Sequence, residues 1–339
     1  MSRDLDVLVV GGGSFGTALA NILTGLGRRV RLWVRREELA VEINSRHTNS
    51  RYLEGLNLSP SLVATTNLEE GVRGSPAILV VVPSKAFRDT AKELGEYVTG
   101  DQIVVHATKG MENGTFMRMS EILREETCAI QIGVLSGPNL ARELVAGQPA
   151  GALIASRFDA VVDAMQSLFK GGMLRTYGGR DVVGTEVGGT FKNIIALAAG
   201  VADGLGLGDN TKALLVTRGL SEMARLGVVM GADVFTFGGL AGIGDLMATC
   251  GSPLSRNHQV GERIGKGETL DAIIASMTHV AEGVPTTKAV YEFLRSQNSE
   301  LPIVSAVYKL LYEKLSARQA FDQLMTIPVG GELATLRFE

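Results

Sequence analysis

The 339-residue chain is poor in the residues that staple a fold or bind a metal. Its two cysteines, Cys128 and Cys250, lie far apart and form no CxxC pair, and its four histidines (His47, His106, His258, His279) are equally scattered. No structural metal or disulfide framework is expected from such spacing, and a reducing cytoplasm is the expected setting. No apolar run approaches the length of a membrane span, and the first strand-like run begins too early to leave room for a charged and apolar leader. An integral membrane segment and a cleaved leader are therefore not expected. Positive charge is not in excess either: 33 basic against 36 acidic residues leave a net charge of −3, so nucleic acid and anionic membranes meet no overall attraction. Anionic small ligands must be caught by local charges.

What the chain does have is glycine, 42 of them, in a sequence that is 45% hydrophobic and 20% charged, a composition that belongs to a globular α/β or α protein. The length suits two domains, each with its own core. Val7–Ala20, VLVVGGGSFGTALA, is the organising stretch: an apolar run, then Gly11, Gly13 and Gly16 in G-x-G-x-x-G spacing, then helix formers. Gly11 would let the strand turn, Gly13 would let the backbone approach a pyrophosphate, and Gly16 would let the helix pack on the sheet. The helix that follows would aim its free N–H groups at the phosphates of a dinucleotide.

VRLWV (Val30–Val34) reads as the second strand of a parallel pair. At its end, where an acidic residue usually meets the ribose 2′-hydroxyl of NAD, stand Arg35 and Arg36. Two guanidiniums there suit the 2′-phosphate of NADP. The plainer alternative is a solvated helix start in which Glu37 and Glu38 pair with them. Further buried strands are expected at Ile78–Val82, Ile103–Ala107, Gly133–Leu135 and Ala152–Ala155, with Leu174–Tyr177 a candidate last one. Such alternation means a doubly wound, mainly parallel sheet that binds ligands beyond the carboxyl ends of its strands. Val82-Pro83-Ser84, Ala107-Thr108-Lys109-Gly110 and Ser136-Gly137-Pro138-Asn139 would face that crevice. Past YGGRDVVG (residues 177–184) the pattern turns helical, which sets the expected domains at 1–182 and 183–339. Helices are expected over 210–231 and around Glu268–Ser276, Thr286–Gln297, Ile303–Glu313 and Ala317–Met325.

Lys192 stands on a predicted helix face with Gly188, Gly189, Ala196, Ala199 and Gly200, all small. Either a ligand fills the space they leave, so that a poorly solvated amine is eased toward general-base duty, or another helix does and the lysine snorkels outward. Lys109, at a strand end, can polarise a carbonyl or meet a phosphate, and as a second ammonium it would ease Lys192 further; otherwise it is a surface charge. Asp245 in GIGDL either caps the next helix or orients an active-site lysine or a substrate hydroxyl. Ser255-Arg256-Asn257 follows a Pro-containing turn and reads as a helix start that collects a hydroxyl, a guanidinium, an amide and free N–H groups, an anion site in kind.

At these residues the chain resembles the bacterial NAD(P)-dependent glycerol-3-phosphate dehydrogenases. The shared motifs run from GGGSFGTALA through VVPS (Val81–Ser84), ATKG (Ala107–Gly110), SGPNLARE (Ser136–Glu143), FKN (Phe191–Asn193), GLGDN (Gly206–Asn210), GDL (Gly244–Leu246) and SRN (Ser255–Asn257) to AEG (Ala281–Gly283). The resemblance implies an N-terminal Rossmann-like domain and an all-α C-terminal domain of the 6-phosphogluconate dehydrogenase type. It implies hydride transfer between NADPH or NADH and dihydroxyacetone phosphate, giving sn-glycerol 3-phosphate for phospholipid synthesis, and it favours a homodimer. By position, Lys192 is similar to the family's proton-transfer residue and Lys109 to a residue touching cofactor and substrate. Asp245, Ser255, Arg256 and Asn257 resemble the substrate shell, with Arg256 also near the cofactor, and Gly137 and Asn139 fall in its substrate loop. Ser14, Phe15, Arg35, Arg36, Ala141, Val280 and Glu282 match cofactor positions. Asn139-Leu140 departs from the commoner Ser or Thr followed by Phe. A 2-hydroxyacid or ketopantoate-type reductase, whose substrate ends in a carboxylate, is the alternative enzyme. A dinucleotide sensor is the alternative of another class, against which stand the negative charge and the lack of a basic recognition helix.

Overall fold

The computed structural model describes residues 6–277 and 281–326. They divide into two compact units: the chain up to Lys109 together with Arg118–Val182, and Gly110–Met117 together with the chain from Val183 onward. Residues 110–117 cluster with the second unit because Met111 joins its core and Phe116 stacks on Phe293, with centroids 4.1 Å apart.

The first unit is an eight-stranded sheet with helices. Its strands are β1 (Val7–Val10), β2 (Val30–Trp33), β3 (Val63–Thr65), β4 (Ala77–Val80), β5 (Ile103–His106), β6 (Gln131–Ser136), β7 (Ala150–Ser156) and β8 (Leu174–Gly179), in the order β3-β2-β1-β4-β5-β6-β7-β8. β1 and β4 are buried at every residue, as near-continuous apolar runs require when helices cover both faces. Pairing is parallel from β3 through β6, with Val9 opposite Leu32 on one side and Leu79 on the other. β1 lies between β2 and β4, so the strand order reverses across it, the place where sheets of this kind bind ligands beyond the carboxyl ends of their strands. The interleaved helices are α1 (Ser14–Gly25), α2 (Glu37–Arg46), α3 (Leu68–Arg73), α4 (Ser84–Gly95), α5 (Met119–Glu126), α6 (Ala141–Val145) and α7 (Asp159–Phe169).

Two features depart from the sequence pattern. β3 is a three-residue edge strand with one residue exposed, too short to stand out from the surrounding loop. β7 runs antiparallel to β6, with Ser136 opposite Leu153, because only a loop and the five-residue α6 intervene and the chain returns without a long crossover. β8 then pairs parallel to β7.

The second unit is built from α8 (Val182–Gly204), α9 (Asp209–Val229), α10 (Asp245–Gly251), α11 (Arg256–Gly265), α12 (Leu270–Ser276), α13 (Gly283–Ser296), α14 (Pro302–Tyr312) and α15 (Ala317–Met325). α8 runs through its core, with Phe191, Ile194, Ile195 and Ala196 all fully buried. Among the described residues, no helix is long and apolar enough to cross a membrane.

Candidate active site

The first unit supplies a glycine loop with open space above it. Gly11 has φ +125°, and a Cβ there would lie 2.2 Å from the Val81 carbonyl oxygen, so only glycine makes this turn. A Cβ on Gly16 would lie 2.0 Å from the Gly11 oxygen, which is how α1 comes close to the strand end. Gly13 differs: nothing lies within 4 Å of a Cβ built on it. It stands at the N-cap of α1 with no side chain capping the helix, which leaves the first-turn N–H groups to a ligand. Ser14 and Phe15 open that turn, both half-buried, and Ser14 Oγ donates to the Tyr52 carbonyl at 3.0 Å. Asn49, fully buried, braces the loop by donating to the Gly12 carbonyl at 3.0 Å and to Thr17 Oγ1 at 2.9 Å.

Arg35 and Arg36 lie at the end of β2, both exposed, and among the described residues neither has an ion-pair partner. Glu37 instead accepts from Thr66 Oγ1 at 2.8 Å, so the pairing with the following glutamates is not formed. At the β5 end, Thr108 Oγ1 donates to the Val82 carbonyl at 2.7 Å, tying two strand ends together. Lys109 Nζ follows, 3.4 Å from both the Gly137 carbonyl and Asn139 Oδ1. Gly137, at φ +144°, and the buried Asn139 are therefore brought to one lysine at the end of β6. Ala141, half-buried, begins α6 just beyond.

The second unit supplies a buried ion pair beside a helix start. Lys192, on α8, is 6% exposed; its Nζ donates to Asp245 Oδ1 and, at 2.8 Å, to Thr249 Oγ1. The lysine therefore points inward and does not snorkel. Nor do the small residues around it leave a gap throughout: a Cβ on Gly188 would lie 2.3 Å from the Ala241 oxygen, and one on Gly200 would lie 2.0 Å from the His258 oxygen. Backbone fills both places. Asp245 opens α10 without capping it and is used as the lysine's counterion; Thr249, one turn on, completes the cluster. Thr249 is absent from the sequence-predicted site, although its i, i+4 spacing from Asp245 on a helix was a signal that could have found it. Cys250 adjoins them, buried; burial pushes its thiol up to about 12, with Lys192 opposing and Asp245 adding, so it is no nucleophile at neutral pH.

Beside Lys192, Asn193 Oδ1 accepts from Asn257 Nδ2 at 2.8 Å, and Asn257 Oδ1 accepts from the Gly283 N–H at 2.9 Å. Asn257 is thus a brace at the start of α11. Ser255 is the N-cap, its Oγ accepting from the His258 N–H at 3.3 Å, while Arg256 is exposed in the first turn. Glu282, half-buried, is the N-cap residue of α13. Val280 lies outside the described residues.

Two family models match the chain: the NAD-dependent glycerol-3-phosphate dehydrogenase N-terminus over residues 6–162 and the C-terminus of the same family over residues 181–322. The chain belongs to this family. A curated relative from Acinetobacter baylyi, Glycerol-3-phosphate dehydrogenase [NAD(P)+], is 46% identical over 91% of this chain and 86% of its own length. The Bacillus anthracis protein of the same description is 45% identical over 94% of this chain and 95% of its own. A glycerol-3-phosphate dehydrogenase crystal structure from Coxiella burnetii superposes with a TM-score of 0.91, at 34% identity, over 95% of this chain and 99% of that one. Membership of the glycerol-3-phosphate dehydrogenase family sets aside the ketopantoate-type alternative, and it covers both units.

Proposed function

We propose that this chain interconverts dihydroxyacetone phosphate and sn-glycerol 3-phosphate with NADPH or NADH, with NADPH preferred. The observation that carries this reading is the buried Lys192–Asp245–Thr249 cluster one residue from the Asn193–Asn257 brace of an anion-ready helix start. The residues fit the cofactor as well: the space over Gly13 and the uncapped α1 suit a pyrophosphate, and two unpaired guanidiniums at the β2 end suit a 2′-phosphate. Ser14, Phe15, Ala141, Val280 and Glu282 complete the cofactor shell in this reading. When bound, the reduced nicotinamide supplies the hydride.

The chain's own residues do the rest. Arg256 and the first-turn N–H groups of α11 hold the substrate phosphate, where helix dipole and guanidinium both favour negative charge. Ser255 and Asn257 keep that turn in place. As the carbonyl carbon gains hydride, its oxygen takes a proton from Lys192 Nζ; in the reverse direction the neutral amine removes it from the hydroxyl. Asp245 balances the ammonium and Thr249 orients it. Lys109, with Gly137 and Asn139, polarises the substrate from the end of β5. We read residues 1–182, apart from 110–117, as the dinucleotide-binding domain and 183–339 as the substrate-binding and catalytic domain.

Free Cys128 and Cys250 support a cytoplasmic setting, where the product would feed phospholipid synthesis. Exposed apolar side chains such as Phe235 and Val229 support a homodimer, which a monomeric mass by light scattering would remove.

The deciding experiment compares NADPH and NADH oxidation with dihydroxyacetone phosphate and with a 2-keto acid, in the wild type and in an Arg35→Ala/Arg36→Ala variant. Turnover of the phosphate ester alone is expected. Loss of charged hydrogen bonds should weaken NADPH about 10- to 150-fold, from about 1.5–3 kcal/mol, and leave NADH nearly unmoved. Preference for the keto acid would overturn the substrate, and equal losses for both cofactors would overturn the 2′-phosphate assignment.

A further inference from the structure

α8 and α11 meet backbone to backbone. A Cβ on Gly200 would lie 2.0 Å from the His258 oxygen and one on Gly204 2.2 Å from the Glu262 oxygen. From the other side, a Cβ on Gly261 would lie 2.0 Å from the Leu197 oxygen and one on Gly265 2.5 Å from the Val201 oxygen. The contact is reciprocal, with Gly200 and Gly204 facing Gly261 and Gly265 at one-turn spacing. Helices ordinarily lock by seating side-chain ridges in grooves. Glycine against glycine has no ridges, so close approach is gained and resistance to sliding or rolling is lost.

Two neighbouring side chains at the start of α11 supply what the glycines lack. Asn257 reaches back to Asn193, while His258 Nε2 lies 2.8 Å from Asp203 Oδ2. A carboxylate only accepts, so Nε2 carries the hydrogen. His258 is 7% exposed, and its Nδ1 has no hydrogen-bond partner among the described residues, which makes Asp203 the ring's one polar anchor there. Lys212 of α9, 3.1 Å from Asp203 Oδ1, orients the other carboxylate oxygen. Asn193 and Asp203 are ten residues apart on α8, about 15 Å along its axis. Adjacent residues of α11 therefore grip α8 at two well-separated points, one two turns before Gly200 and one between Gly200 and Gly204.

We propose that Asp203 and His258 are positioning residues: with Asn193–Asn257 they stop α11 from pivoting on its glycine contact, and so fix where its first turn presents Arg256 to a substrate phosphate. Neither residue touches the reacting atoms. The inference rests on the functional reading above, and the wild type is assayed first to keep the two apart: no turnover of dihydroxyacetone phosphate overturns that reading, whereas turnover with unmoved variants overturns only the positioning.

The test measures KM and kcat for dihydroxyacetone phosphate, KM for NADPH, and kcat/KM for dihydroxyacetone, which has no phosphate. In Asp203→Leu and His258→Phe, misplacement of the phosphate anchor should raise KM for dihydroxyacetone phosphate about 10- to 100-fold. KM for NADPH and kcat/KM for dihydroxyacetone should stay at wild-type values. Asp203→Asn keeps an acceptor for Nε2–H and should recover most of the loss. Lys212→Met, at a partly exposed site that should fold regardless, should raise KM only a few fold. An equal loss with dihydroxyacetone, a parallel rise in KM for NADPH, or an Asp203→Asn variant as impaired as Asp203→Leu would each overturn the proposal. Should the two larger changes prevent folding, an unmoved Lys212→Met overturns it alone.

Discussion

The start of α1 and the packed helices of the second unit use the same building materials in opposite ways. In the first, Gly13 faces open space and the N-terminus of α1 has no side-chain cap. In the second, Gly188, Gly200, Gly204, Gly261 and Gly265 are each pressed against carbonyl oxygens or backbone carbons. The helix end of α14 shows the same contrast: Glu222 of α9 accepts from the Ile303 N–H at 2.8 Å and the Val304 N–H at 3.4 Å. Gly13 and the start of α1 are left for a ligand, whereas these glycines of the second unit and the start of α14 are satisfied from within. A glycine motif therefore says that a backbone comes close to something; only the surroundings say whether that something is a phosphate or another helix.

Lys192 breaks the pattern most sharply, since it is satisfied from within and yet is the residue we propose as the proton source. Lys192→Ala should cut kcat by about 10²–10⁴ with NADPH affinity kept, the share general acid–base help supplies. Equilibrium cofactor binding and steady-state rates on one preparation check it, and loss of NADPH binding with the fold intact would make the lysine structural.

Glu222 offers the next largest effect. Burial pushes its carboxyl up to about 7 from an ordinary 4.5, against the opposing pull of the Ile303 and Val304 N–H groups and of Arg225 and Arg218. Because the folded value is raised, the stability it contributes is full below 4.5 and is lost as pH rises through about 7. At about 1.4 kcal/mol for every pH unit, wild type should lose on the order of 3 kcal/mol across that window relative to Glu222→Gln. Denaturant unfolding of both proteins over the window reads this directly; parallel curves would count against a protonated Glu222.

A matched pair of alanines gives the smallest effect and the cleanest contrast. Gly261→Ala must push the backbones of α8 and α11 apart and should cost about 1–3 kcal/mol of stability. Gly13→Ala has room and an ordinary extended backbone, so thermal unfolding should barely move while NADPH affinity falls. If both variants lost stability alike, the loop around Gly13 would be as closed as the glycine crossing.

Much of this is legible in the sequence. Short, mostly apolar runs mark most of the strands, and the separation of the helical half from the sheet follows from where those runs cease. β3 escapes because three residues at a sheet edge carry too little pattern, and β7 because nothing in ALIA tells its direction. Single site residues are legible by type, but their partners are not: Lys192 and Asp245 are 53 residues apart, and no local period links them. The small-residue face of α8 is visible too, yet its meaning depends on Gly261 and Gly265, which a helix-by-helix reading does not align with it.

The excursion of residues 110–117 bears on how this enzyme can recombine. The chain leaves the sheet unit after Lys109, returns at Arg118 and leaves it again after Val182, so a single junction at 182 does not separate two modules. A chimaera that takes residues 1–182 from a relative also imports Met111 and Phe116, whose packing partners, Phe293 among them, stay with the recipient. Viable hybrids should therefore swap 110–117 along with the helical half, and a library of crossovers should be depleted of those that do not.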